Sequence, residues 1–175
     1  MDSEEVAAVF DELVADILSG VGNGRDLAAI GIRTRGVPLA RRIVDRLAEA
    51  TGADIHLGSV GITLYRDDLG TRFPHPVVQD TSIDFDVEGK RVLLVDDVLF
   101  TGRTVRAALD EIVDFGRPAR IELAVLIDRG HRELPIQPDY VGRRVATALD
   151  DMVKLRLIEV DDEDKVELIK HAEEG

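Results

Sequence analysis

Two adjacent aspartates, Asp96 and Asp97, follow the apolar run "RVLLV" and precede the stretch "VLFTGRT". The run predicts a buried strand, and two carboxylates side by side at its end repel each other unless a partner binds them. Thr101, Gly102 and Thr104 then begin a predicted helix, where a glycine turn presents free backbone N–H groups and the positive end of the helix dipole. The pattern therefore predicts a ligand with a phosphate at one end and a diol beside it, as in ribose 5-phosphate.

Other interpretations of the acidic pair fit less well. Capping a helix requires one acid, not two. A phosphoacceptor receiver domain also ends a strand in paired acids, but it needs several more βα units with a third acid and a lysine. The chain after Asp97 is too short for them, and Lys154, Lys165 and Lys170 fall in the predicted terminal strands or the tail. The P-loop pattern G-x-x-x-x-G-K-[ST] is absent from the sequence.

Alternating strands and helices must position these groups. Hydrophobic periodicity predicts helices at 3–19, 37–50 and 103–115, and strands at 27–32, 54–65, 91–96, 120–128, 140–148 and 152–160. Residues 66–84 have no clear periodicity, and a loop of that length is usually functional or mobile. The order of elements predicts one α/β domain over residues 1–175, with a mostly parallel central sheet flanked by helices.

Composition excludes several classes of protein. The sequence has no cysteine, which excludes disulfides and Cys-based zinc sites. It has no apolar stretch of the roughly 20 residues that a transmembrane helix needs, and its acidic N-terminus is unlike a signal peptide, so we expect a cytoplasmic protein without membrane contact. The net charge of −13 argues against a general nucleic-acid binder. The acidic C-terminal end, about 159–175, is expected to be a solvated edge or tail.

Several stretches resemble a known family. "VLLVDDVLFTGRT" resembles the signature of type I phosphoribosyltransferases, which bind phosphoribosyl pyrophosphate (PRPP). "GIRTRGVPLA", "ITLYRDDL" and "LAVLIDRGHRELPIQPDYVGRRV" resemble the subfamily that combines uracil phosphoribosyltransferase activity with regulation of the pyrimidine operon. The resemblance covers roughly residues 27 to 158. It implies the type I fold with a flexible hood loop, Mg²⁺ as cofactor, PRPP, uracil and UMP as ligands, and a homo-oligomer.

The resemblance also implies a role for each matching residue. Asp96 and Asp97 hold the ribose hydroxyls near Mg²⁺ and share catalysis with Arg66, which begins the hood loop. Asp128 and Arg129 lie where the family places the base. The set implied to bind PRPP or nucleotide comprises Thr34 and Arg35 at the pyrophosphate, then Asp96, Asp97, Val98, Leu99, Phe100, Thr101, Gly102, Arg103 and Thr104.

The same subfamily binds the leader mRNA of its operon when it carries a uridine nucleotide. The candidate cations for that contact are His131, Arg132, Arg143 and Arg144, with Arg41, Arg42 and Arg46 on the helix after "RTRG". The chain departs from the family in its acidic first helix and in Asp150 and Asp151, where relatives carry serines and a lysine. Three functions therefore stay open: a uracil phosphoribosyltransferase, which we favour; an RNA-binding attenuator that keeps a nucleotide pocket; and an enzyme acting on a purine base.

Overall fold

The computed structural model describes residues 1–65, 75–78 and 80–170. The helices are α1 (Ser3–Val21), α2 (Gly36–Thr51), α3 (Arg103–Asp114) and the short α4 (Ile158–Asp161). The strands are β1 (Leu27–Ile32), β2 (His56–Val60), β3 (Ile62–Tyr65), β4 (His75–Val78), β5 (Arg91–Leu99), β6 (Arg120–Asp128), β7 (Tyr140–Arg144), β8 (Met152–Arg156) and β9 (Lys165–Ile169). No helix within these ranges is long and apolar enough to cross a membrane.

Five parallel strands form the central sheet in the order β2-β1-β5-β6-β7. Strands β1, β5 and β6 are apolar along nearly their whole length because both faces of the sheet are covered. The fold class expected from the sequence, a mostly parallel α/β sheet flanked by helices, is confirmed. Because all five strands are parallel, their carboxyl ends lie along one edge of the sheet, and we call it the carboxyl edge.

Two apolar clusters fix the helices on the sheet. One cluster joins α1 and α2 to one face and includes Leu155 and Val166 of the β8–β9 hairpin. The other packs α3 on the opposite face, with Ile83 and Val87 from the segment before β5. α1 begins with a capping box in which Asp2 and Glu5 each bond the other's backbone N–H at 3.0 Å.

Three predictions from the sequence are wrong in detail. The strand predicted at 54–65 is interrupted at Gly61, so β2 belongs to the central sheet while β3 pairs antiparallel with β4. Residues 75–78, predicted as loop, form β4. The strand predicted at 152–160 ends at Arg156, and the chain turns through α4 to return as β9. Periodicity alone does not show where a strand ends, as at Gly61 and Arg156, and it gave no signal for the short β4.

Candidate active site

The acidic pair lies at the carboxyl edge. Asp96 is 6% exposed, and its Oδ1 accepts the backbone N–H of Asp97 at 2.9 Å. Oδ1 of Asp97 accepts the backbone N–H of Val98 at 2.9 Å. Burial, and next the charge of Asp97, raise the pKa of Asp96 well above its usual range. Burying the Asp96 carboxylate beside a second carboxylate is costly unless cations or hydroxyl donors bind in front of the pair.

The turn from β5 into α3 offers backbone donors beside the pair. Gly102 has φ of 92°, a conformation that a side chain disfavours. The N-cap residue of α3, Gly102, has no side chain, and the Thr101 hydroxyl accepts the N–H of Arg103 at 3.3 Å. The carbonyl oxygen of Thr101 accepts the N–H groups of Glu133 (3.0 Å) and Leu134 (3.2 Å), and the Arg103 side chain donates to Glu133 at 2.7 Å. These bonds to Glu133 and Leu134 fix the turn, and the first turn of α3 can bind an anion.

A second turn, between β1 and α2, reaches the acidic pair because Gly36 has no side chain. A Cβ atom on Gly36 would lie 2.5 Å from the carbonyl oxygen of Val95, directly before Asp96. Thr34 and Arg35 therefore sit beside the end of β5. The Arg35 guanidinium binds Asp161 through Nε (3.0 Å) and Nη2 (2.7 Å). Hydrogen bonding to Asp161 and the charges of Asp161 and Asp97 raise the pKa of Arg35, so it stays a cation.

The end of β6 forms a third wall of the site. Asp128 pairs with Leu99 in the sheet register, and its Oδ1 accepts the N–H of Gly130 at 3.0 Å. Arg129 is 7% exposed, with its guanidinium carbon 4.0 Å from the centre of the Phe100 ring. Its Nη2 donates to the carbonyls of Ala148 (2.9 Å) and Leu149 (3.1 Å), and burial lowers its pKa. The turn that carries these carbonyls is closed by Asp151, which accepts the N–H of Ala148 at 2.7 Å.

The Arg132 side chain connects the end of β6 to the turn between β5 and α3. Its Nη2 lies 2.8 Å from Oδ2 of Asp128, while Nε donates to the carbonyl of Ile136 (2.9 Å) and Nη1 to that of Phe100 (2.9 Å). The side chain is 12% exposed. The structure thus gives Arg132, predicted to contact RNA, a bracing role inside the molecule.

Replacing Arg132 by alanine is expected to lower the free energy of unfolding by about 2–3 kcal/mol, because it leaves the carboxylate of Asp128 buried without its cation. Urea unfolding measures this loss. Arg143→Ala, which removes an exposed arginine of the neighbouring strand, is the matched control and should change stability by no more than about 0.5 kcal/mol. Equal losses in the two variants would contradict the bracing role.

The other cations predicted to contact RNA fall into two groups. Arg42 binds Glu159 and Asp164, and Arg46 binds Asp11 at 2.9 Å, so acids of this chain already neutralise both. The exposed group consists of Arg41, His131, Arg143 and Arg144. Arg144 is 74% exposed and His131 approaches the carbonyl oxygen of Thr147 at 2.8 Å, both close to the base wall.

The acidic C-terminal end is not only a solvated tail, contrary to expectation. Residues 165–169 form β9, and three acids, Asp161, Glu159 and Asp164, bind the arginines of α2 and the turn before it. The sequence contained a signal for this pairing. Arg35 and Arg42 are seven residues apart, so they face the same side of a helix, and two cations on one side are stabilised by anions packed against it. Asp161 is the site residue that sequence reasoning missed. Arg66 and the hood at 66–74, as well as residues 171–175, lie outside the described residues.

The ion pair with Arg35 makes a pH-dependent contribution to stability. Its hydrogen bond, and next that from the N–H of Leu157, lower the pKa of Asp161 to about 2. A lowered pKa means that the contribution is present above the unfolded value near 3.8 and is lost as the pH falls toward 2. The Tm difference between the wild type and Asp161→Asn is therefore expected to be constant from about pH 7 to 5 and to shrink between about pH 4 and 2. A difference that persists unchanged at the lowest pH would contradict it.

Comparison with known proteins decides the family. The profile of the phosphoribosyl transferase domain matches residues 2–154. "Bifunctional protein PyrR" of Roseiflexus sp. is 53% identical over 92% of this chain and 88% of that protein, and its namesake of Chloroflexus aurantiacus is 52% identical over 97% and 93%. The chain belongs to the PyrR branch of the phosphoribosyltransferase family. The resemblance recognised in the sequence is thereby confirmed.

Solved structures share the fold of this PyrR-family chain at much lower identity. A hypoxanthine phosphoribosyltransferase from Trypanosoma cruzi superposes with a TM-score of 0.73 at 19% identity, covering 97% of this chain and 92% of that one. A purine phosphoribosyltransferase from Pyrococcus horikoshii gives 0.65 at 23% identity, covering 83% and 85%. At such identities the likeness shows the fold alone, the type I phosphoribosyltransferase fold.

Proposed function

We propose that this chain transfers the ribose 5-phosphate group of PRPP to uracil, forming UMP and pyrophosphate. The observation that carries the proposal is the acidic pair at the carboxyl edge, flanked by the first turn of α3 on one side and by Arg35 on the other. It places groups for a sugar diol, a phosphate and a second anion side by side. The PyrR relatives at about half identity support uracil over a purine as the base.

Each part of PRPP has a matching group in this arrangement. Asp96 and Asp97 accept hydrogen bonds from the ribose hydroxyls, and the first turn of α3, residues 101–104, holds the 5-phosphate. Thr34 and Arg35 bind the pyrophosphate; Arg66, to which the resemblance gives a part in catalysis, lies outside the described residues. Val98 and Leu99 stay in the proposed set, and because the side chain of Leu99 is buried, its contribution would come from the backbone.

The donor set fits Mg²⁺ bound together with PRPP. No group of three or more acidic or histidine side chains that could hold a metal occurs in the described part of the chain. Two adjacent carboxylates suit Mg²⁺, which usually takes one or two protein carboxylates plus phosphate oxygens and water. When bound at Asp96 and Asp97, the ion supplies positive charge to the departing pyrophosphate.

The residues of the chain favour the charge that develops during transfer. The bond from the ribose carbon to pyrophosphate breaks, its electron pair leaves with the pyrophosphate, and a uracil nitrogen that has lost its proton forms the new bond. Positive charge on the sugar ring is stabilised by the neighbouring carboxylate of Asp97, and negative charge on the leaving group by Arg35. Closure of the hood excludes water, which would otherwise hydrolyse the activated sugar.

The side chains of the base wall are partly engaged within the chain, while Nε of Arg129 is buried and has no hydrogen-bond partner among the described residues. Asp128 is bound by Arg132, and Arg129 by the carbonyls of the 148–151 turn and the Phe100 ring. We therefore assign Asp128 and Arg129 the shaping of the base pocket. Activity assays with uracil and with hypoxanthine test which base the enzyme uses. UMP formation is expected, and IMP formation without UMP formation would establish the purine alternative.

UMP-dependent binding of leader RNA is the second proposed function, since the PyrR relatives are named bifunctional. Its contact surface comprises the exposed cations near the base wall: His131, Arg143 and Arg144. Titration of pyrimidine-operon leader RNA at low salt, with and without UMP, tests it. UMP should strengthen binding, whereas affinity independent of UMP would remove the function. The proposal also takes residues 1–175 as one cytoplasmic domain that assembles as a dimer or higher oligomer.

A further inference from the structure

Asp161 forms the closest contact between the C-terminal segment and the candidate site. Both of its carboxylate oxygens bind Arg35, at 3.0 and 2.7 Å, across 126 positions of sequence. The carboxylate is 13% exposed and the guanidinium 25%. A two-bond pair of this kind fixes both the position and the plane of the guanidinium group.

The segment that carries Asp161 is itself held firmly. Oδ2 of Asp161 also accepts the N–H of Leu157 at 3.0 Å. On either side of it, Glu159 and Asp164 bind Arg42 through four contacts of 2.6 to 2.9 Å. The connection between β8 and β9 is thus anchored to α2. This helix begins directly after Thr34 and Arg35, the residues assigned to the pyrophosphate.

Arg35 keeps donors for a second anion. Asp161 occupies only Nε and one hydrogen of Nη2, and no described residue accepts a hydrogen bond from Nη1. Asp97 lies close enough for its charge to act on Arg35. The guanidinium is therefore held by a fixed carboxylate on one edge and keeps donors on the other edge that can bind a phosphate oxygen.

We infer that Asp161 is a positioning residue that holds Arg35 in the orientation in which it binds the pyrophosphate of PRPP. The inference rests on the proposed function, which assigns Arg35 to that anion. It places the segment between β8 and β9, beyond the 2–154 match to the phosphoribosyl transferase profile, in the construction of the site. Without the carboxylate, the long Arg35 side chain would sample other rotamers, and pyrophosphate binding would have to restrict it.

Asp161→Asn tests the role, because asparagine keeps the size of the side chain and an acceptor for Leu157. We expect KM for PRPP to rise about tenfold, and inhibition by added pyrophosphate to weaken by a similar factor. KM for uracil and the Kd of UMP, which has no pyrophosphate, should stay within about twofold. Asp161→Glu, which restores the charge, should recover part of the pyrophosphate affinity.

Controls separate this role from general stability and from the proposed function. Asp11→Asn breaks an exposed ion pair between α1 and Arg46 of α2, and it should leave KM for PRPP unchanged. In an Arg35→Ala background, Asp161→Asn should add no further loss. A KM for PRPP that is unchanged or lower in Asp161→Asn would overturn the positioning role. Failure of the wild type to bind pyrophosphate or UMP would instead reject the proposed function.

Discussion

Asp97→Asn is expected to lower kcat for UMP formation by about 100-fold, in line with the loss of one charged group aimed at a transition state. The physical reason is that asparagine removes the negative charge facing the sugar ring while keeping the oxygen that accepts the N–H of Val98 at 2.9 Å. Folding should therefore be nearly unaffected. Steady-state kinetics with saturating PRPP and uracil, together with a thermal melt, measure both quantities.

The matched control for this variant is Asp114→Asn, which changes an exposed aspartate at the end of α3, away from the carboxyl edge. Its kcat should equal that of the wild type. Activity of Asp97→Asn within about twofold of the wild type would reject the catalytic role of the acidic pair. A large loss of Tm in Asp97→Asn would assign the residue to stability instead.

Glu122→Gln is expected to lower the free energy of unfolding by about 3 kcal/mol, which for a chain of this length corresponds to a fall in Tm of roughly 10 °C. Glu122 is 2% exposed and lies at the start of β6, where it pairs with Arg91 and accepts the Tyr140 hydroxyl at 3.0 Å. The bond from Arg91 lowers the pKa of Glu122 despite its burial. Glutamine removes the charge and leaves Arg91 without its anion in a partly desolvated position.

Urea unfolding of Glu122→Gln should be compared with Glu167→Gln, which breaks pairs with Arg156 and Lys165 on the more exposed β8–β9 hairpin. That control should cost much less stability, as the loss of an exposed ion pair does. The activity of folded Glu122→Gln should stay at the wild-type level, since the residue lies at the amino ends of the strands. Similar stability losses in both variants would show that burial does not strengthen the Glu122 network.

Local patterns in the sequence predicted the central sheet and much of the site. β1 and β6 have the predicted bounds, because short runs dominated by apolar residues are typical of strands covered on both faces. The acidic pair and the glycine turn could be predicted because the residues that form each of them are adjacent in the sequence. The adjacency of the turn at Thr34 and Arg35 to Asp96 depends on Gly36 approaching the carbonyl of Val95, which only the fold shows.

Long-range ion pairs account for what the sequence did not reveal. Arg42 was named as a candidate RNA contact because its partners, Glu159 and Asp164, are distant in sequence. Arg132 was named likewise, although its partner Asp128 is only four positions away, at the end of the preceding strand. Charge composition gives the number of acids and bases but not their pairing. For the same reason Asp161 was assigned to a solvated end, although it binds a residue of the site.

The parallel sheet separates the two largest expected effects in space. Asp97 is at the ends of the strands and Glu122 is near their beginnings, with the apolar interior of β5 and β6 between them. Substitutions near Asp97 should change kcat with little loss of stability. Substitutions near Glu122 should lower stability with little change in kcat. Because of this separation, residues at the carboxyl ends of the strands can change the base specificity during evolution, while residues at the amino ends maintain the stability of the fold.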